Sequence, residues 1–237
     1  MPVTTNGQDD RLMPDGILFD LDGTLIDSER ESAEAMARAL ANNGLEINQD
    51  DRDFIIGRSW VEIFRELKDK YPNLPCSIEQ LIEQTAIQRE AILANDGFTI
   101  MPGALDLLAR LATAQVPMAV VTGSSRREAT SAIAALGHGQ WFRALYAAED
   151  VPTSKPDPAG YLAGAKALGA NVTRCLVIED SFAGIRAGRA AGAVVLAVRA
   201  GNFANQDQSD AHRIIDNLAQ LDDGLLAELC GMFSEPQ

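Results

Sequence analysis

The chain has 237 residues, 46% hydrophobic and 23% charged, which excludes the disordered class and leaves room for one substantial core plus a smaller second unit. Lys and Arg number 20 against 34 Asp and Glu, a formal net charge of -14, so most of the surface repels a phosphodiester backbone and nucleic acid is not an expected partner. The same field opposes a small anionic substrate, so a phosphate site has to concentrate positive charge from a metal ion, a lysine and helix N-termini.

Residues 1–13 are polar and read as a flexible tail without the apolar stretch of a signal peptide, and no later run is long enough to span a membrane. Pro14-Asp15-Gly16 then punctuates the chain, and the apolar run Ile17-Leu18-Phe19 predicts a buried strand ending in Asp20-Leu21-Asp22-Gly23-Thr24. From Ser28 to about Asp96 no strand-like run occurs; helical stretches follow one another, separated by Asn42-Asn43-Gly44 and Tyr71-Pro72-Asn73. Ser28 and Glu31 have the spacing of a capping box opening this insertion.

After the insertion, helix and strand alternate. Amphipathic helices are predicted over Gly103–Ala114, Arg126–Leu136, Pro158–Leu168 and Phe182–Ala191, and strands over Val116–Val121, Cys175–Ile178 and Ala193–Val198. The pattern predicts an α/β fold: a Rossmann-like parallel-sheet core whose ligands bind beyond the carboxyl ends of the strands. The expected division is a discontinuous core over 14–28 and 97–237, with an inserted all-helical cap domain over 29–96 covering the mouth of the site.

Three strand ends carry chemistry. Asp20 and Asp22, two apart in an extended segment, face one side; such close carboxylates need a cation between them or a proton on one, and either arrangement suits phosphoryl transfer. Thr122-Gly123-Ser124 offers a hydroxyl, a close backbone approach and helix N-terminal N–H groups, a cradle for phosphate, while Ser125 and Glu128 read as a capping box. Lys155 is held by the prolines of Lys155-Pro156-Asp157-Pro158, with Asp157 as the expected N-cap and Pro158 as the first helical residue. Glu179 and Asp180 join Asp20 and Asp22 in an all-oxygen, hard-cation site of the kind that suits Mg2+.

With His138 and His212 the only histidines, zinc chemistry is not expected, and the three separated cysteines, Cys76, Cys175 and Cys230, lack CxxC spacing and fit a reducing cytoplasm. Gly137-His138-Gly139 lacks the third glycine of a dinucleotide loop and reads as a helix stop. Gly184 and Gly188 are expected to let a helix pack closely on the sheet.

Taken together, FDLDGTLIDSE at 19–29, VVTGSS at 120–125, SKPDP at 154–158 and VIEDSFAGIRAGRAAG at 177–192 resemble the haloacid dehalogenase superfamily, in its branch of small phosphatases and β-phosphoglucomutase-like proteins with a helical cap. The resemblance implies that Asp20 attacks phosphorus to form an aspartyl-phosphate, and that Asp22 protonates the leaving alcohol and then activates water. It also implies that Thr122 and Lys155 bind the phosphoryl oxygens, and that Mg2+ is held by Asp20, the Asp22 carbonyl and Asp180 with Glu179 assisting.

The implied substrate is a small phosphorylated metabolite such as a sugar phosphate, handled by a cytoplasmic protein that is a monomer by default. Two alternatives stay open. One is a β-phosphoglucomutase-like phosphomutase, although Ser32 stands where those enzymes carry a cap histidine. The other is a phosphorelay receiver, against which the helical insertion and the second carboxylate both argue. Arg58 and Trp60 are expected to face the substrate, with Trp60 as part of the cap core the other reading.

Overall fold

The computed structural model describes residues 13–233 apart from positions 75, 138 and 204. The expected tail, except for Met13, and His138 lie outside the described residues. Six strands, β1 (Gly16–Phe19), β2 (Met118–Val121), β3 (Phe142–Tyr146), β4 (Cys175–Glu179), β5 (Val194–Val198) and β6 (Arg213–Ile215), form one parallel sheet in the order β3-β2-β1-β4-β5-β6. The Rossmann-like core read from the alternating pattern is therefore present.

Strands covered on both faces need continuous apolar runs, and the period of two divides each run between two cores. Ile17 and Phe19 of β1 join Val120 and Ile178 on one face, beneath α5 (Ala104–Thr113), α6 (Arg126–Ala135) and α9 (Asp223–Cys230). Leu18 joins Val121 and Val177 on the other, beneath α7 (Ala159–Leu168) and α8 (Phe182–Ala190). Gly188 of α8 meets the sheet so closely that an added Cβ would lie 2.9 Å from a methyl of Val195, which is the expected reason for its lack of a side chain.

Between β1 and α5 the chain forms α1 (Ser28–Asn42), α2 (Gln49–Ile55), α3 (Trp60–Lys70) and α4 (Ile78–Asp96). These helices bury an apolar cluster of their own that includes Met36, Leu40, Ile63, Leu67 and Leu81. Their starts are set by short polar side chains: Asn48, Ser59 and Ser77 each form a reciprocal capping box, with Asp51, Glu62 and Gln80. Asp51 also accepts from Lys70 Nζ and the Tyr71 hydroxyl, both at 2.6 Å, tying α2 to the end of α3.

Local sequence misplaced two caps. The N-cap of α1 is Asp27, whose carboxylate accepts from Arg30 N at 3.1 Å; Ser28 is already helical, and Glu31 turns inward to accept the Thr99 N–H. The acceptor that Thr99 requires comes from a residue 68 positions away, so tertiary demand outweighs the local box. Helix α7 begins one residue later than expected, with Pro158 as N-cap and Asp157 accepting from Ala159 N at 2.9 Å. Strands β3 and β6 and helix α9 were not expected from the sequence. Among the described residues no helix is long and apolar enough to cross a membrane.

Candidate active site

The strand order reverses direction between β1 and β4, and at such a switch point the loops leaving adjacent strands part to open a crevice. Asp20 follows β1 directly, its N–H bonded to the Ile178 carbonyl of β4 at 2.9 Å, while Glu179 ends β4 and Asp180 follows it. Oxygens of Asp20, Glu179 and Asp180 all lie within 4.8 Å of one another, and all three residues are buried. Sheet register thus brings together acids some 160 positions apart in the chain.

Lys155 reaches into this cluster from the segment before α7. Its ammonium donates to Asp20 Oδ1, to Glu179 Oε1 at 2.7 Å and to the Val121 carbonyl at 3.0 Å, which uses all three of its protons. Glu179 is fully engaged as well. Its Oε1 also accepts from the Tyr161 hydroxyl at 2.9 Å, and its Oε2 accepts from the N–H groups of Asp180 and Ser181, each at 2.9 Å, and from Ser181 Oγ at 3.0 Å. Glu179 therefore anchors Lys155 and the turn bearing Asp180, and Asp20 and Asp180 retain the greater capacity to meet a cation.

Burial lifts the Asp20 carboxyl to about 8, with Lys155 opposing the rise and Glu179 and Asp22 adding to it. Asp180 is pushed well above the ordinary range by burial and by its neighbours Glu179 and Asp20. Glu179 lies below that range, because Lys155 and the donors around it outweigh the cost of its burial. Three buried acids share one ammonium, and the raised Asp20 and Asp180 carboxyls mark a set of hard oxygen donors whose full ionisation needs a further cation, an arrangement that fits Mg2+.

Asp22 is half-buried and its carboxylate turns to the other side, accepting from Thr122 Oγ1 at 3.2 Å and from Ser124 Oγ. Thr122 Oγ1 in turn accepts the Ser124 N–H at 3.0 Å, and Ser125 caps α6 in the expected box with Glu128. Between Asp20 and Asp22 on one side and Asp180 on the other, Gly23 adopts φ +77°, and a Cβ there would collide with the Asp180 carboxylate. Asp20, Asp22, Thr122, Gly123, Ser124, Lys155 and Asp180 all line one cavity of about 450 Å3, in the range of small-molecule sites.

Helices α1 and α4 contribute Ser28, Glu29, Ser32 and Arg89 to that cavity, and the turn between α2 and α3 contributes Gly57. Neither Arg58 nor Trp60 lines this cavity; Trp60 lines instead a neighbouring cavity of about 720 Å3 that shares Ser32 and Arg89 with it. The Arg58 guanidinium stacks 4.1 Å from the centre of the Phe54 ring, and Trp60 packs against the helical apolar cluster. The cation that the inserted helices bring to the cavity is Arg89, from the middle of α4. No motif marks it; helical periodicity could place it on a face, and only the packing of α4 along α1 aims that face at the strand ends.

A model of the haloacid dehalogenase-like hydrolase family matches residues 14–192. The chain is 35% identical over 175 residues to the validoxylamine A 7'-phosphate phosphatase of Streptomyces hygroscopicus subsp. limoneus, covering 74% of this chain and 81% of the relative. It is also 35% identical over 187 residues to hexitol phosphatase A of Escherichia coli, covering 78% and 83%. A Deinococcus radiodurans HAD family hydrolase, solved with phosphate and sodium bound, superposes with a TM-score of 0.74 at 26% identity over 96% of this chain and 100% of its own. The chain belongs to the haloacid dehalogenase-like hydrolase family, and within it to the enzymes of the phosphatase class.

Proposed function

We propose that the protein hydrolyses the phosphate monoester of a small hydroxylated metabolite, of the sugar-phosphate type, through an aspartyl-phosphate on Asp20 and with Mg2+ as cofactor. The observation that carries this reading is the pair of carboxylates on one cavity with opposite surroundings: Asp20 clamped by Lys155, Asp22 turned to the hydroxyls of Thr122 and Ser124. Relatives named for phosphatase action on validoxylamine A 7'-phosphate and on hexitol phosphates support it.

In this reading the Asp20 carboxylate attacks phosphorus; the new O–P bond forms as the bond to the leaving oxygen breaks, and Asp22 gives that oxygen its proton. Asp22 then takes a proton from water, whose attack on phosphorus breaks the Asp20–phosphate bond and releases inorganic phosphate. When substrate binds, Thr122, the Gly123 N–H, the Ser124 N–H released from Thr122 Oγ1, and Lys155, which exchanges one of its three acceptors for the phosphoryl group, contact the phosphoryl oxygens, placing positive charge where the transition state gathers negative charge. Mg2+, held by Asp20, the Asp22 carbonyl and Asp180 with Glu179 behind them, supplies charge neutralisation when bound. The helices over 29–96 act as a cap on the core formed by 14–28 and 97–237. We place the enzyme in the cytoplasm as a monomer, a setting that its three free cysteines suit.

The direct test is phosphate release from p-nitrophenyl phosphate and a panel of sugar phosphates, with Mg2+ and after chelation. Removal of the metal is expected to lower the rate at least about a hundredfold, and added Mg2+ to raise the melting temperature through binding to the native state. Full activity in EDTA would overturn the metal's role. Interconversion of hexose phosphates after addition of a bisphosphate, without net phosphate release, would favour a mutase.

Gly184 provides a second check. A Cβ there would fall on the Glu179 carboxylate, so Gly184→Ala must displace the group that anchors Lys155 and the Asp180 turn. We expect kcat to fall about 100-fold, the size of effect that a 1 Å misplacement of a catalytic group produces. An unchanged kcat in a folded variant would remove Glu179 from the positioning scheme.

A further inference from the structure

Among the described residues, three buried side-chain polar atoms have no hydrogen-bond partner: Glu31 Oε2, Thr85 Oγ1 and Arg89 Nε. All three lie at one seam, where α1 and α4 face α6. Thr85 and Arg89 are one turn apart on the same face of α4, and both line a second cavity of about 720 Å3 whose opposite wall carries Arg127, Glu128 and Ser131 of α6. Arg89 and Ser32 line this cavity and the Asp20 cavity alike, so the two volumes adjoin. Buried polar atoms are nearly always paired, and a donor and a hydroxyl left unpaired one turn apart on a helix that lines the reaction centre's cavity point to a partner that arrives with the ligand.

The charges around Arg89 say what kind of ligand. Its Nη1 lies 3.3 Å from Glu128 and its Nη2 3.8 Å from Glu31, so two carboxylates already compensate one guanidinium. Glu29 joins Asp20, Asp22 and Asp180 on the Asp20 cavity, its Oε2 accepting the Gly57 N–H at 3.1 Å. Arg127, the other cation of the seam, pairs with Glu90 at 3.4 Å. The seam therefore presents hydrogen-bonding groups in a net negative field, which favours neutral hydroxyls and opposes a carboxylate or a second phosphate.

Resting on the phosphatase reading above, we propose that Ser32, Thr85 and Arg89 form a leaving-group subsite that takes the uncharged, polyhydroxylated part of the substrate and rejects leaving groups carrying a second anion. Arg89 Nε–H donates to a substrate hydroxyl and Thr85 Oγ1 exchanges a hydrogen bond with another. Glu31 and Glu128 are positioning residues that hold the guanidinium and cancel its charge.

The test compares kcat/KM for sorbitol 6-phosphate, 2-phosphoglycolate and p-nitrophenyl phosphate with Mg2+ present. The wild-type enzyme is expected to prefer sorbitol 6-phosphate to 2-phosphoglycolate by about a hundredfold or more, as a site that hydrogen-bonds hydroxyls discriminates against ligands lacking them. Arg89→Met should lower kcat/KM for sorbitol 6-phosphate about tenfold more than for the aryl ester, chiefly through KM. Glu31→Gln, by removing one of the two carboxylates beside Arg89 and so weakening the negative field, should raise the ratio of 2-phosphoglycolate to sorbitol 6-phosphate several-fold. Hydrolysis of the aryl ester combined with a wild-type preference for 2-phosphoglycolate overturns the subsite alone, as does an equal loss on both esters in Arg89→Met. Absence of turnover on every ester overturns the phosphatase reading and the subsite with it. The wild-type ratio decides the matter even if a variant fails to fold.

Discussion

Asp20→Asn is expected to abolish turnover, lowering kcat by about 10⁴-fold or more, as removal of a nucleophile does in an enzyme that works through a covalent intermediate. The amide has nearly the shape of the carboxylate and its oxygen still accepts from Lys155, so the substitution removes nucleophilicity rather than packing. It also removes one of three crowded acids, whose oxygens lie within 4.8 Å of one another and whose ionised forms repel. The variant should therefore melt no lower than the wild type in metal-free buffer, and Mg2+ should raise its melting temperature less. Single-turnover phosphate release and paired melting curves check both halves. A variant keeping more than about 1% of wild-type kcat would place the nucleophile elsewhere.

Lys155→Met should damage both stability and catalysis. Glu179 is fully buried and its Oε1 takes one of its hydrogen bonds from the Lys155 ammonium; without that charge it becomes an anion buried beside two other carboxylates. Breaking a buried pair by removing one partner costs about 3–5 kcal/mol, and the urea midpoint should fall accordingly. Catalysis loses a cation that contacts both Asp20 and, in the proposed mechanism, the phosphoryl group, so kcat should drop by about 10²–10³ beyond any loss of folded protein. Arginine is not expected to rescue, because its planar fork cannot direct three protons to Asp20, Glu179 and the Val121 carbonyl from the space of one ammonium. A Lys155→Met protein as stable as the wild type would show that Glu179 finds its compensation elsewhere.

Arg58 and Arg89 differ in how far their surroundings are legible from the sequence. Arg58 lies between Gly57 and Ser59 in the loop before α3, a conspicuous setting, yet the Phe54 ring four residues earlier captures its guanidinium. Arg89 stood in a helix of ordinary composition, and its importance comes from Glu31 and Glu128, 58 and 39 positions away. Glu31 itself looked like half of a capping box, whereas in the folded chain it serves Thr99 and Arg89. For Glu179, the type and place were legible, but the saturation of both its oxygens by Lys155, Tyr161, Asp180 and Ser181 was not.

What the sequence determined by itself is the set of features with a strong local cause. Central strands β1, β2, β4 and β5 lie between two layers of helices, so they had to be short continuous apolar runs, and the polar residues that end β1, β2 and β4 were marked by the contrast. The helical character of 29–96 followed from the lack of such runs and from its turn residues. Strands β3 and β6 escaped because they sit at the sheet edges, where Arg143 and Arg213 interrupt the apolar pattern without harm and pairing with a neighbour decides the conformation. The tertiary structure alone decided which faces of α1 and α4 look toward the strand ends and which buried polar atoms remain without partners, because those outcomes depend on contacts between residues far apart in the chain, whose geometry no local pattern encodes.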